Sequence, residues 1–548
     1  MKRLSRCLIL LFLLICNYSC LEASIPYRNV MYYGDWSIYA GQKNFYPSMM
    51  APKYITHLNF AFLDMDTNGD LVLCDEWADF QITSLPELSG LIYGAPYSGV
   101  LGALFILKFK NPHLKVGISV GGWGRSYNFP IVAADQTKRE NFATNIVKFI
   151  EYLGYDFVDI DWEYPSTVSD TENFNLFLQA IRTKLDNLGE KYGKHYELSI
   201  AMSANPSNMA IIQYDKVLNI VDFANMMTYD LAGGWSSYTA HHTALYTNEA
   251  YNHQTMGDAI FSADYCIKYF EKTYGSSIDM KKVLIGVAPY THGWGSVQNN
   301  GLDPDNPGLF ASASPNSVQD AYGFYEIPEL TKQYGLNEYF DNKAKAAYYY
   351  SPTSAVFFTI DNARSAAAKG NYVREKGLGG LIAWMASLDR ENVVTKGMFD
   401  GLYDDGYVFP DKEIIFLPTS HIAQVVATSK GYDITIQNTE TTVETNIALR
   451  DAELFPKSIA HFKVYIKTKS GAEFGPDTMS GTVTNEDGIG IVDPSSNYDA
   501  KFIAPGGSYT FSVTVTGTPD VSDIVSITMT QRITLSLEEI REQVVYKG

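Results

Sequence analysis

YDFVDIDWEYP, residues 155–165, places four carboxylates, Asp156, Asp159, Asp161 and Glu163, within eight residues among apolar, strand-favouring neighbours. Side chains alternate faces along a β-strand, so Asp159, Asp161 and Glu163 share one face while Ile160 and Trp162 share the other. Burying like charges at that spacing is costly unless protons or hydrogen bonds are shared. In a parallel barrel the acid row faces the lumen. Glu163 then stands at the carboxyl end of its strand, where barrel enzymes do their chemistry. Pro165 stops the strand, and Trp162 reads as packing against the helices. Asp159 and Asp161 would share a proton, with Asp161 leaning down to Asp159 or up to Glu163, which keeps Glu163 protonated as a general acid. On residue types alone the row also fits a loop-capping acid cluster or a Mg²⁺ or Ca²⁺ site.

Outward from this strand, seven further apolar runs recur between residues 28 and 400: 30–36, 55–64, 115–122, 197–204, 222–230, 282–290 and 378–387. Helical patterns such as RENFATNIVKFIEYLG and ENFNLFLQAIRTKLDNLG lie between several of them. Eight runs with helical crossovers predict an α/β fold, a (β/α)8 TIM barrel, over residues 25–410. A long gap before the eighth run, rich in Gly, Asn, Pro and Tyr, predicts a small inserted α+β subdomain at about 295–355. Residues 411–548 change to short alternating strands separated by turn residues, which predicts a C-terminal β-sandwich. SLEEIREQVV reads as a short terminal helix with Ser536 as its N-cap.

The chain has 548 residues and a net charge of −19, which argues against nucleic acid as a partner. Aromatic residues make up 14% of it, a supply suited to packing on the C–H faces of sugar rings. Lys2, Arg3 and Arg6 precede an apolar run too short to span a bilayer, so residues 1–24 read as a signal peptide of a secreted protein with no membrane span. Asn17 fits poorly with lipid anchoring at Cys20. Processing leaves Cys74 and Cys266, whose pairing the sequence does not decide; two buried thiols is the simpler reading.

The spacing DxxDxDxE ending in WEYP resembles the signature of the family 18 glycoside hydrolases, the chitinase family, and the resemblance extends over roughly residues 27–400. SVGG (119–122) is similar to the family's strand-three SxGG, in which Ser119 would support the lower aspartate while Gly121 and Gly122 leave room for sugar. MTYD (227–230) resembles its strand-six segment, and LGGLIAW (378–384) its strand-eight segment ending in Trp. AHHTALY (240–246) and the stretch 357–380 look closest to bacterial members with an insertion before strand eight. Two positions depart from the pattern: Phe157, where Gly is common, and His292, where many relatives have Arg.

The resemblance implies substrate-assisted retention. Glu163 would protonate the glycosidic oxygen while the substrate's 2-acetamido carbonyl attacks the anomeric carbon. Asp161 would hold the acetamido N–H, Asp159 would brace Asp161, and Tyr229 would donate to the acetamido oxygen. Asp230 and Met227 would line the sugar site, and Asp156 would support the strand. Trp36, Tyr39, Trp123, Trp235, Trp294 and Trp384 each lie on or just past a strand, and with Tyr290 they are candidates to pave the groove. The implied substrate is chitin or N-acetylglucosamine oligomers, with no metal and no organic cofactor required. His241 and His242 lack a visible third ligand and read as loop residues. The alternatives are an endo-β-N-acetylglucosaminidase on N-glycans and a chitin-binding lectin on the same fold. The C-terminal domain has no Trp, and its partner, carbohydrate or protein, stays open.

Overall fold

The structure, a computed structural model, describes residues 25–547 except 90–96, 251–261, 299, 301–302, 411–420, 442–458, 498–501 and 532–540. The expected leader, Cys20 and Ser536 lie outside the described residues.

Eight parallel strands close into a barrel: β1 (Arg28–Gly34), β2 (His57–Met65), β3 (Lys115–Gly121), β4 (Phe157–Asp161), β5 (Glu197–Ser203), β6 (Phe223–Met227), β7 (Val283–Val287) and β8 (Gly380–Ala383). Each pairs with the next, and β1 pairs with both β2 and β8, so the barrel strands leave no free edge to one another. A short strand, Leu71–Leu73, adds to β2 as an antiparallel hairpin. Helices such as Gln136–Leu153 and Val168–Tyr192 cross between strands and bury their apolar faces on the barrel's outer surface. The second starts at Thr167, whose hydroxyl accepts from Asp170 N–H while Asp170 answers onto Thr167 N–H, so the helix begins just after the loop that leaves β4.

The register of β4 follows from its sequence. Ile160 and Trp162 turn outward, and Trp162 is buried against Phe129 with rings stacked at 5.3 Å. Phe157 points inward and fills the lower lumen beside Phe223 and His57. A Cβ at Gly117 of the neighbouring strand would come 2.4 Å from that ring, so the bulky residue at 157 is matched by a missing side chain across the ladder. At the base of the barrel Glu197 meets Arg28 at 3.0 Å, Lys115 at 3.1 Å and His57 at 2.8 Å. Asp156 meets Lys108 and Lys194 there and accepts Val116 N–H, which ties the start of β4 to β3.

Between β7 and β8 lies a four-stranded antiparallel sheet ordered 337–341, 346–351, 356–360, 292–294, with helix Ile327–Tyr334 beside it. This sheet runs a few residues past both ends of the stretch 295–355. C-terminal to the barrel are a four-stranded and a five-stranded antiparallel sheet, whose inner faces share one apolar cluster that includes Ile434, Phe511, Val464 and Ile527. The expected terminal helix is overturned: Arg541–Lys547 is a strand, paired antiparallel with Ile524–Gln531. Its Glu, Gln and Arg content favours a helix, but the open edge of 524–531 offers backbone groups that only a strand satisfies. Among the described residues no helix is long and apolar enough to cross a membrane. Cys74 and Cys266 are both free, the first half-buried and the second buried.

Candidate active site

The acid row stands in the lumen in the order its spacing dictates. Asp159 is fully buried and draws four donors from four other strands: Tyr32 hydroxyl at 2.7 Å, Ser119 at 2.8 Å, Ser199 at 2.5 Å and Asn225 Nδ2 at 3.3 Å. Burial raises its pKa and these four bonds oppose the rise. Asp161, 4% exposed, is in the opposite position. Its Oδ1 has no hydrogen-bond partner, and its pKa stands well above the ordinary carboxylate range because of burial and the adjacent Glu163 and Asp159. Of the two, Asp161 holds its proton more strongly, and Asp159 with its ring of donors is the better stabilised as an ion.

Glu163 follows β4 by two residues and is half-buried. Its backbone N–H donates to Ser126 Oγ at 2.9 Å, and Gly122 N–H donates to Asp161 C=O at 2.8 Å, so the loop after β3 holds the end of β4 at two points. Gly121 and Gly122 have φ of +108° and +87°, and a Cβ on Gly121 would come 2.2 Å from Asp161 O. That close approach requires glycine. Burial raises the pKa of Glu163, the Tyr164 hydroxyl opposes this, and the charge of Asp230 raises it further. Ser126, Tyr32, Ser199 and Asn225 were not legible as site residues, because each reaches the row from another strand or loop; Tyr164 was quoted within WEYP, but strand alternation gave it no role beside Glu163.

Tyr229 follows β6, with its ring 7% exposed and edge-on to Tyr290 at 6.1 Å. Gly286 of β7 makes the space, since a Cβ there would come 2.7 Å from the ring. Burial and the charges of Asp230, Asp161 and Glu163 keep the phenol protonated. Asp230 accepts from Tyr290 hydroxyl at 2.5 Å and from His292 Nε2 at 2.8 Å, and His292 Nδ1 lies 2.5 Å from Asp320. Burial alone would lower the His292 pKa, but the two aspartates push it up to about 9. The departure at 292 thus puts a cationic imidazole beside Asp230. Met227 is half-buried beneath them.

The aromatic candidates divide. Trp384 is half-buried, stacked on Phe62 at 5.5 Å, and touched by Tyr32 and Trp36. Trp123 is 79% exposed, Trp235 57% and Tyr39 37%. Tyr39 stacks on Trp77 at 5.9 Å, an exposed partner in an irregular connection whose pattern hid it. Trp294 is a correction. It is fully buried in the antiparallel sheet between β7 and β8, with its indole N–H on Ser236 C=O at 3.0 Å, and cannot line a groove. It closes a three-residue strand, so alternation turns its ring into that sheet's core. Asp156 supports β4 from the base, at the end of the strand opposite Glu163. His241 turns to Asp341 at 3.2 Å while His242 faces Asp230, so the two histidines part company as adjacent residues do.

A profile described as Glycosyl hydrolases family 18 matches residues 28–389. Chitinase 1 of Aphanocladium album is 30% identical over 67% of this chain and 82% of its own length. Among solved structures, the catalytic domain of psychrophilic chitinase B from Arthrobacter TAD20 is 26% identical at a TM-score of 0.58, covering 70% of this chain and 97% of that one. A family 18 N-acetylglucosaminidase from Paenibacillus barengoltzii is 28% identical at a TM-score of 0.55, covering 69% of this chain and all of that one.

Proposed function

Because the chain belongs to glycosyl hydrolase family 18 and is a chitinase-type hydrolase, we propose that it is secreted and cleaves β-1,4 bonds between N-acetylglucosamine units of chitin by substrate-assisted retention. The observation that carries this reading is the graded row Asp159, Asp161, Glu163 beside Tyr229: burial raises all three pKa values, four donors oppose the rise at Asp159, and nothing opposes it at Asp161. Glu163, at the row's open end, gives its proton to the glycosidic oxygen. Asp161 turns toward the acetamido N–H, which supplies the partner its Oδ1 lacks, and its carboxylate form is favoured by the positive charge that develops on the sugar. The Tyr229 hydroxyl, protonated and near both acids, holds the acetamido oxygen against the anomeric carbon. Water then opens the cyclic ion with Glu163 as base.

Trp384, on its bed of Phe62, Tyr32 and Trp36, is the floor under the reacting sugar, and Trp123, Trp235 and the Tyr39–Trp77 stack extend the track. The sheet 292–360 is an inserted subdomain that raises one wall of the groove and favours a long linear polymer. The C-terminal sandwich has Tyr432 and Tyr509 buried, so its strands offer neither as a sugar platform. The test is a digest of the N-acetylglucosamine hexamer beside its fully deacetylated counterpart. Cleavage of the first alone is expected. Equal cleavage of both contradicts assistance by the acetamide, and release of N-glycans from glycoprotein with the hexamer intact supports the endo-β-N-acetylglucosaminidase reading.

A further inference from the structure

Asp230, His242 and His292 meet at the mouth of the barrel, the first two from the connection after β6 and the third from the strand 292–294. We propose that they form a site for one divalent transition-metal ion of borderline softness, Zn²⁺ above all. A carboxylate oxygen and two imidazole nitrogens lie within 4.8 Å of one another. Asp230 Oδ1 is 2.8 Å from His292 Nε2 and 3.8 Å from His242 Nδ1. Around a tetrahedral zinc with bonds of ~2.0–2.1 Å, ligand atoms stand about 3.3 Å apart, so small rotations of Asp230 and His292 bring the three into place.

The second nitrogen of each ring is already committed. His242 Nε2 donates to Tyr290 C=O at 3.1 Å, and His292 Nδ1 donates to Asp320 Oδ2 at 2.5 Å. An outer shell of one backbone carbonyl and one carboxylate is what orients imidazoles that ligate metal. It leaves two nitrogens facing Asp230: His242 Nδ1, whose lone pair would exchange the Asp230 N–H for the ion, and His292 Nε2, which releases its proton to solvent as the ion binds. An ion-pair reading explains His292 between two aspartates. It does not extend to His242, a fully buried ring whose Nδ1 accepts Asp230 N–H at 3.3 Å and lies 3.8 Å from Asp230 Oδ1. The side chain of Asp230 is 53% exposed and Trp235 stands open beside His292, so an ion enters from the groove and keeps a fourth position for water. Since Asp230 adjoins Tyr229, bound zinc blocks the groove and competes with chitin oligomers.

The site does not depend on the glycosidase reading, and its test is direct binding. The full-length chain without a histidine tag is stripped by chelator and titrated with ZnCl₂ by calorimetry at neutral pH, alongside His292→Gln and Asp320→Asn. Thermal unfolding of each metal-free protein verifies its fold. One Zn²⁺ per wild-type chain is expected, with zinc absorption spectra showing two imidazoles. Stoichiometric binding is lost in His292→Gln and weakens about 10–100-fold in Asp320→Asn, and the N-acetylglucosamine hexamer lowers the apparent zinc affinity. Failure of the wild type to bind, or unchanged binding in both variants, overturns the proposal.

Discussion

At the base of the barrel Glu197 has Arg28, Lys115 and His57 within 3.1 Å; at the mouth Asp161 has an unpartnered oxygen and two acids for neighbours. Both carboxyls are buried. Burial alone would raise both pKa values, but at Glu197 the surrounding His57, Lys115 and Arg28 outweigh it and hold the pKa well below the ordinary range. At Asp161 nothing offsets burial, and Glu163 and Asp159 add to it. One barrel thus makes a permanent anion at one end and retained protons at the other. The base joins β1, β3 and β5 electrostatically, and the mouth keeps acids ready to donate.

Changes at the mouth are expected to cost activity and changes at the base to cost stability. Glu163→Gln removes the donor and lowers kcat about 10²–10⁴-fold with the melting temperature unchanged or raised. Tyr229→Phe removes one donor to the acetamido oxygen and lowers kcat about 10²–10³-fold. Steady-state rates on the N-acetylglucosamine hexamer check both. Glu197→Gln strands Arg28 and Lys115 and destabilises the fold by about 3 kcal/mol, while kcat per folded molecule is kept. Because the folded pKa of Glu197 is depressed, its stabilisation is full above the unfolded value of about 4.3 and fades as pH falls below it. The gap in denaturant stability between wild type and variant therefore narrows in acid. A gap that widened there would break the comparison.

The smallest effect sharpens it. The charge of Asp230 raises the Glu163 pKa. Glu163 must be protonated to act, so activity falls as pH rises through that pKa. Asp230→Asn lowers the pKa and moves the alkaline limb of the kcat profile to lower pH. A limb that stayed fixed would show that Glu163 does not set it.

The acid row was legible because a period of two is unambiguous in a strand, and the eight runs made the barrel legible in the same way. What the row rests on was not. Tyr32, Ser199 and Asn225 converge on Asp159 only after three other strands have closed around it. Trp294 was misplaced because its position after β7 suggested the groove, whereas the short strand it ends belongs to another sheet. His242 showed no third ligand beside it in sequence because Asp230 lies twelve residues back on the same connection and His292 on a strand of the inserted sheet. The terminal segment was misread because its helix-favouring residues gave no sign of the strand edge awaiting it.

The contrast between mouth and base is tested most directly by titrating the chain with ¹³C-labelled glutamate carboxyls, using Glu163→Gln and Glu197→Gln to assign the two signals. The account predicts that Glu163 titrates above the ordinary glutamate value of about 4.3 while Glu197 stays ionised below it. Two signals titrating together near that value would contradict it.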